Sequence, residues 1–555
     1  MTYPSNVLIQ AIVRMFSHAG IEQVVLSPGS RNAPLMVGFS EDSSFKCHSV
    51  VDERSAAFFA LGLIQASRKP VAVVCTSGSA LLNYFPAVAE AFYSDLPLVV
   101  VSADRPAQLL EIGDGQTIQQ VGVYGKHIEG QFNCLEEEDR LTENLEGIQG
   151  LLSVCLHRQG PVHLNVPLAE PLYDLVEEPY QLPERFRQTM VAESLSPSEH
   201  SGLQSTWAQA QKILIVTGVL EPGSISFETI DGLLQDPRVL WMTETTSNLH
   251  HPKAVWGIDQ LITGLDSQQR AALQPDLLIS LGGMVVSKRI KAFLRKYQPN
   301  THYHIHPKKA YDSYFSLTAH IPADPESVLA QLPITAKEEA GSYQRQWLAL
   351  RDQRIDKQAS FMEAAGYSDL AVYKRLLAAL PARSVLQLAN STAIRYSQLF
   401  DLTKEQAVYC NRGTSGIDGS SSTAIGYANA SKRQTVLVTG DLSFFYDSNA
   451  LWLNDVPESF RIVVINNSGG GIFRILPDAR KMTHFTTFFE TRHQRTAEGL
   501  AKAYGWHYKK ADDMPSLEQA LTDFFQPSDG PAILEISTPP ANNDTVLADY
   551  FKTLV

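Results

Sequence analysis

The sequence predicts an α/β protein built from three consecutive units, each a doubly wound parallel sheet with helices on both faces. Two observations carry that expectation. Short β-branched runs ending in Gly, Ser or Pro recur along the chain and alternate with stretches of helical spacing, the pattern of parallel strands joined by crossover helices. The 555 residues also exceed what one hydrophobic core ordinarily serves, and the length suggests about three domains.

The first unit is placed at residues 1–180. Val24–Leu26 runs into SPGSR, Val71–Cys75 into TSGSA, and Leu98–Val101 into SADRP; GPVHLNVP (Gly160–Pro167) reads as its last strand. From Asp174 to His200 the chain turns acidic and Pro-containing (EEPYQLPERF, SLSPSEH), which reads as a linker. A smaller second unit, residues 200–335, carries KILIVT (Lys212–Thr217), DLLISLGG (Asp276–Gly283) and YHIHP (Tyr303–Pro307). The stretch from Thr335 to Gly366, rich in Lys, Glu and Gln, reads as a helical connector. The third unit, residues 350–555, contains SVLQLANS (Ser384–Ser391), TVLVTGD (Thr435–Asp441), RIVVINN (Arg461–Asn467) and PAILEIS (Pro531–Ser537). The recurrence suggests structural cousins rather than a short-period repeat.

Composition narrows the function classes. Hydrophobic residues make up 44% and charged residues 19%, the profile of a folded soluble protein. Cys47, Cys75, Cys134, Cys155 and Cys410 are scattered singly with no C-x-x-C pair, which argues for reduced thiols and against a structural zinc. The opening MTYPSNVLIQAIVRMFSHAG lacks the unbroken apolar stretch of a signal peptide, and no run of about 18 apolar residues occurs. A cytoplasmic protein without an integral membrane segment is expected. The net charge of −13 disfavours nucleic acid and anionic lipid as partners. It also requires that any anionic substrate be met by a local cluster of cations.

The most informative stretch runs from Gly440 to Phe473, GDLSFFYD followed by NNSGGGIF. Asp441 follows directly on one strand and Asn467 ends the next. In a parallel sheet, that separation places both at neighbouring strand C-termini, where ligands bind. A carboxylate, an amide oxygen and a nearby backbone carbonyl make a hard oxygen set suited to magnesium or calcium, with room for phosphate oxygens. Gly469, Gly470 and Gly471 let the backbone approach a phosphate. Alone, Asp441 would read as a helix cap and the glycines as a turn; the combination at this spacing reads as a cofactor site.

A Gly-Asp pair followed by Asn-Asn at this distance resembles the signature of thiamine-diphosphate enzymes. The third signature position, usually Gly, is Leu442 here. The resemblance implies that Asp441, Asn467 and Gly469 hold Mg2+ (or Mn2+). It further implies that Gly440, Ser443 and Ile417 contact the cofactor, with Ile417 supporting its bent shape. Glu53 in HSVVDERSAAFFALG (His48–Gly62) matches the family's catalytic glutamate, which ends a strand, begins a helix and touches the aminopyrimidine ring. A first-turn Glu is also a routine helix-dipole contact, so Glu53 carries weight only beside the third-unit signature. By the same resemblance the first unit binds the pyrimidine ring and the third the diphosphate and metal. The active site is then shared between two copies, in a homodimer or a dimer of dimers (a homotetramer).

SPGSRNAPL, TSGSALLNYFPAVAEA, SADRP and NRGTSGIDGSSSTAIG are similar to one carbon–carbon bond-forming branch of that family. Members of this branch serve menaquinone or phylloquinone biosynthesis. They decarboxylate 2-oxoglutarate on thiamine diphosphate and add the resulting carbanion to isochorismate, a transferase reaction. Both substrates are dicarboxylates, and buried carboxylates need cationic partners, for which Arg offers a two-pronged match. The motifs supply Arg31, Arg105, Lys288, Arg289, Arg395 and Arg412. Each has an ordinary alternative as a solvated surface charge, and Arg105 one as an ion-pair partner at its turn. Carried over from the resemblance, Gln116 and Ser391 orient substrate, and Ile472 and Phe473 line an apolar wall. Ser391 and Arg395 lie one helical turn apart and are expected to share a face. Catalytic roles are thus expected for Glu53, Gln116, Ser391 and Arg395. Two other readings stay open: an acetohydroxyacid synthase-like relative acting on a monocarboxylate, with GVLEPGS (Gly218–Ser224) a loose flavin-loop candidate, and a non-catalytic nucleotide-binding regulator.

Overall fold

A computed structural model of the chain describes residues 2–186, 201–334, 342–402, 406–476 and 478–555. The expected linker lies outside the described residues from 187 to 200. The expected connector lies outside them from 335 to 341 and continues as the helix Ser342–Ala364.

Three parallel sheets form the body of the protein. In the first, the strands lie side by side in the order Lys46–Ser49, Gln23–Leu26, Val71–Cys75, Leu98–Asp104, Val162–Pro167, Gly130–Asn133. The third runs Ala407–Tyr409, Val385–Leu388, Thr435–Gly440, Arg461–Asn466, Ala532–Ser537, His507–Ala511. Numbered along the chain within each sheet, both follow the order 2-1-3-4-6-5. The five-stranded middle sheet, from Val239–Met242 to Ala319–Ile321, follows 2-1-3-4-5. All pairs within these sheets are parallel. In such sheets the chain reverses direction of winding beside the first strand, and the strand C-termini there form a ligand crevice.

The internal strands are apolar because helices cover both faces; Val71–Cys75, Ile213–Thr217 and Arg461–Asn466 are buried throughout. In the first unit the helices Val7–His18 and Leu141–Arg158 cover one face, while Glu53–Ser67 and Phe85–Ser94 cover the other. The second of these apolar layers continues without interruption into the third unit through Ala424, Ile425, Ala428 and Phe444.

That continuity rests on one helix crossing. Glu53–Ser67 packs against Ser420–Ser431, and at the contact each helix presents a glycine. A Cβ on Gly62 would lie 2.0 Å from the Thr423 carbonyl oxygen, and one on Gly426 would lie 2.0 Å from that of Phe59. The backbones meet directly, which no other residue permits, and this offsets the entropic cost of glycine inside a helix. The crossing fixes how the first unit faces the third.

Gly426→Ala is therefore expected to destabilise the protein by about 1–3 kcal/mol or more through overpacking, lowering the urea midpoint. Gly499→Ala, in a helix where a Cβ meets nothing within 4 Å, should leave the midpoint unchanged or raise it slightly. Equal midpoints for the two variants would contradict the packing argument.

Candidate functional site

The site-forming side chains follow directly on strand C-termini. In the first unit, the turn after Gln23–Leu26 carries Arg31. It is anchored by Tyr84 Oη donating to Ser27 Oγ (3.0 Å) and Asn32 Nδ2 donating to the Ser27 carbonyl (2.9 Å). Arg31 is buried; its Nη1 donates to the Leu168 carbonyl at 2.9 Å, Nη2 stands 3.6 Å from Glu170, and Nε has no partner. Burial, then the charge of Arg105, holds its pKa below the usual value.

Arg105 follows Leu98–Asp104. It pairs with Asp114 (3.2 Å) and donates to the Gly115 carbonyl (3.0 Å) and to Ser77 Oγ (3.4 Å). The ion-pair alternative for Arg105 thus holds, and the pair pins the loop that carries Gln116, an exposed residue with φ 58°. Gly78 in TSGSA makes room for that loop. Its φ is 88°, and a Cβ there would lie 3.1 Å from the Gln116 carbonyl oxygen.

Glu53 opens the helix after Lys46–Ser49, capped by Asp52, which accepts from the Ser55 N–H at 3.0 Å. The Glu53 carboxyl is half-buried beside Asn83. Burial raises its pKa and Asp52 adds to the rise, against the pull of hydrogen bonds from its own backbone and Asn83.

In the third unit, Asp441 follows Thr435–Gly440 and is 2% exposed. It is not the cap of its helix. Its Oδ1 accepts the Leu442 N–H (2.7 Å), its Oδ2 accepts the Gly469 N–H (2.9 Å), and His493 Nε2 stands 3.3 Å away. Gly469, with φ 147°, lets the loop fold onto Glu490, whose carbonyl oxygen would lie 2.5 Å from a Cβ. Asn467 Nδ2 donates to Asp369 at 3.0 Å, which turns its Oδ1 the other way. The carboxylate of Asp441, the Asn467 amide oxygen and the Gly469 carbonyl are thus a donor set of the hard oxygen type. A Cβ on Gly440 would meet nothing within 4 Å, so the backbone beside Asp441 is open to a phosphate. These residues fit a divalent cation with a diphosphate. Ser443 donates its hydroxyl to the Ile417 carbonyl at 2.6 Å and fastens that loop.

Ser391 and Arg412 follow the two strands on the other side of the switch point. Ser391 stands before its helix with φ 70° and ψ −124°, a strained conformation of the kind that collects at ligand sites. The shared helical face with Arg395 therefore does not apply; Ser391 is a cap-position residue and Arg395 belongs to the helix Thr392–Ser397. Arg412 Nη1 donates to Asn390 Oδ1 at 2.7 Å, and its Nε is unpartnered. Burial, then Arg412, lowers the pKa of Arg395.

A cavity of about 250 Å³ lies between the middle and third units, lined among others by Glu244, Lys288, Arg289, Arg395 and Ile472. Lys288 and Arg289 are the first turn of a helix capped by Ser287, and Arg289 lies 4.5 Å over the Phe551 ring. Ile472 and Phe473 are half-buried in the helix Ile472–Ile475, and Ile417 is exposed, so none of the three is a closed core residue. Sequence reading missed Glu244, Asp369 and His493. Glu244 is fully buried; burial pushes its pKa up to about 7 against hydrogen bonds from the Val286 and Ser287 N–H groups. Burial likewise brings Asp369 up to about 6. The only signal for Asp369 was a helix-start pattern, and Glu244 follows an edge strand. The glycine of GVLEPGS serves a close loop crossing, since a Cβ on Gly218 would lie 2.1 Å from the Gly283 carbonyl oxygen.

Comparison with known proteins agrees with this geometry. Residues 7–125 match the family described as thiamine pyrophosphate enzyme, N-terminal TPP binding domain, and residues 391–536 match thiamine pyrophosphate enzyme, C-terminal TPP binding domain. Proteins named 2-succinyl-5-enolpyruvyl-6-hydroxy-3-cyclohexene-1-carboxylate synthase are similar along the whole chain. The relative from Flavobacterium johnsoniae is 46% identical over 100% of both chains. That from Christiangramia forsetii is 42% identical over 100% of this chain and 99% of its own. That from Bacteroides thetaiotaomicron is 37% identical over 99% and 98%. The chain therefore belongs to the 2-succinyl-5-enolpyruvyl-6-hydroxy-3-cyclohexene-1-carboxylate synthase family of thiamine pyrophosphate enzymes.

Proposed function

We propose that this enzyme decarboxylates 2-oxoglutarate and joins the remaining four carbons to isochorismate, giving the product in its relatives' name as a step of menaquinone biosynthesis in the cytoplasm. The observation that carries the reading is the crowding of arginines, Arg31 beside Arg105 and half-buried Arg395 beside Arg412, with the Nε atoms of Arg31 and Arg412 unpartnered. Like charges crowded in partly buried sites call for anionic ligands; Glu170 and Asp114 meet part of that call in the first unit, while among the described residues Arg395 and Arg412 form no ion pair and suit a substrate carboxylate.

Thiamine diphosphate, when bound, supplies the electron sink for decarboxylation and the nucleophilic carbon for the new bond. Asp441, Asn467 and Gly469 would hold Mg2+ or Mn2+ against its diphosphate, with Gly440 leaving the approach open. Glu53 holds a proton at its carboxyl and shares it with the pyrimidine ring; partial burial moves its exchange toward neutral pH. Arg395, Lys288 and Arg289 hold substrate carboxylates in the cavity between the middle and third units, with Arg412 beside Arg395. Ile472 and Phe473 exclude water from the reacting carbon. Arg31 holds a carboxylate at the first-unit edge, while Arg105 keeps Gln116 in place.

Exposed apolar side chains support a shared site in a dimer or dimer of dimers. Val51 is 50% exposed and Leu82 41%, on either side of Glu53 and Asn83, and Ile417, Ile475 and Leu476 are exposed in the third unit. No helix among the described residues is long and apolar enough to cross a membrane.

With thiamine diphosphate and Mg2+, the protein should release carbon dioxide from 2-oxoglutarate and consume isochorismate; turnover of pyruvate with no response to 2-oxoglutarate would point to an acetohydroxyacid synthase-like activity instead. Glu53→Gln is expected to slow turnover by about 10²–10⁴-fold while still binding cofactor. A regulator that merely binds nucleotides would show no such loss. Mixing the inactive variants Glu53→Gln and Asp441→Ala should recover part of the activity if each site draws on two copies, and none if each copy is self-sufficient.

A further inference from the structure

The metal-site reading above leaves one buried group unexplained. Asp369 opens the helix Asp369–Ala379 and is 2% exposed. Its Oδ1 accepts from Thr538 Oγ1 at 2.6 Å and its Oδ2 from Asn467 Nδ2 at 3.0 Å, while its N–H donates to Asn543 Oδ1 at 2.8 Å. Both side-chain partners are donors, as an ionised carboxylate requires, and the helix start favours its charge. An amide facing a carboxylate can present only its NH2 group, so the orientation of Asn467 is dictated by Asp369.

A second observation bears on why a carboxylate stands there. Asp369 and Asp441 are both buried and grip the same loop, Asp369 through the Asn467 amide and Asp441 through the Gly469 N–H two residues on. Among the described residues no Lys or Arg pairs with either; Asp441 has only backbone N–H groups and His493 beside it. Two buried carboxylates without a cationic side chain form a negative pocket that a divalent cation relieves.

We propose that Asp369 is a positioning residue of the cation site: it locks the Asn467 amide with Oδ1 toward Asp441 and Gly469, and its charge raises the site's affinity for a divalent ion. Asp369 does not touch the cation itself. It acts through Asn467, as the outer partners of metal ligands generally do. The inference rests on the reading of Asp441, Asn467 and Gly469 as the metal ligands.

The test is a titration of the apo-protein with Mg2+ at fixed thiamine diphosphate, following cofactor binding by tryptophan fluorescence and calorimetry rather than turnover. Asp369→Asn lets the Asn467 amide flip and should raise the Mg2+ concentration needed by ~10–100-fold. The swap Asp369→Asn with Asn467→Asp keeps the same side-chain types and net charge and again presents an oxygen to the cation; it should restore the parental requirement to within a few-fold. An unchanged Mg2+ requirement in folded Asp369→Asn overturns the proposal. So does a swap variant that folds yet stays as impaired as the single one. If the single variant does not fold, the swap decides alone, by the same criterion against the parent. Asn467→Ala separates the two layers: if it binds cofactor with the parental Mg2+ requirement, the metal-site reading itself fails, whatever Asp369 does.

Discussion

The organisation of this protein depends on charges of one sign being held together out of water. Arg31 lies beside Arg105, Arg395 beside Arg412, and Asp369 beside Asp441. Glu170 and Asp114 meet part of the charge of the first grouping, whereas among the described residues Arg395 and Arg412 form no ion pair and no Lys or Arg pairs with Asp369 or Asp441; a buried charge left so costs several kcal/mol and is relieved by an opposite charge from outside the chain. The two arginine pairs call for anions. The carboxylate pair calls for a cation, and that cation in turn suits a diphosphate. The three groupings together fit the thiamine pyrophosphate of the chain's family and the divalent cation and carboxylate-bearing substrates proposed for it.

Fold geometry explains how a single chain brings these groups to edges where they can act together. Parallel strands end on one side, and the candidate residues follow those ends: Arg31, Glu53 and Arg105 in the first sheet, Ser391, Arg412, Asp441 and Asn467 in the third. The two sheets repeat one strand order, so each offers an equivalent crevice. The glycine-to-glycine helix crossing then fixes the first unit against the third, with backbone meeting backbone at Gly62 and Gly426. The middle unit adds the helix Lys288–Lys296, whose first turn enters the cavity beside Arg395.

How much of this the sequence disclosed follows from where apolar residues are obligatory. All the internal strands of the three sheets were legible as apolar runs, because helices bury both their faces. Edge strands such as His507–Ala511 and Gly130–Asn133 were not, since one side lies open and mixed sequences suffice there; the short edge strands Val239–Met242 and Ala407–Tyr409 are apolar and buried and were passed over all the same. Only Lys46–Ser49 was anticipated among them, through the resemblance around Glu53. In the site, Asp441 and Asn467 stood out because an aspartate and an asparagine pair at strand ends are rare in combination. Ser443 was named as a cofactor contact through the resemblance, and the bond its hydroxyl donates to the Ile417 carbonyl was not legible, because a sequence does not show the direction of a hydroxyl. Asp369 and Glu244 were invisible, because each owes its significance to burial beside residues distant in sequence.

Glu244 shows why the middle unit matters for the choice of substrate. The cavity is lined by three cations, Lys288, Arg289 and Arg395, and two carboxylates, Glu244 and Asp259; Arg412 lies near enough to act on Arg395, and Lys291 near enough to feel Glu244. Glu244 is the only fully buried member of the seven, yet it does not cancel the arginines by direct pairing. Its two oxygens take the N–H groups of Val286 and Ser287, at 2.6 and 2.7 Å, and so fix the turn that launches Lys288 and Arg289. Asp259 is engaged with the Ser287 hydroxyl of the same turn. Both carboxylates thus serve to present cations rather than to neutralise them. A monocarboxylate would engage one of the presented cations and leave the others unmatched, whereas a dicarboxylate meeting a second carboxylate-bearing partner engages more of them. The charge arrangement of the middle unit therefore favours a carboligase of dicarboxylates over a relative acting on pyruvate.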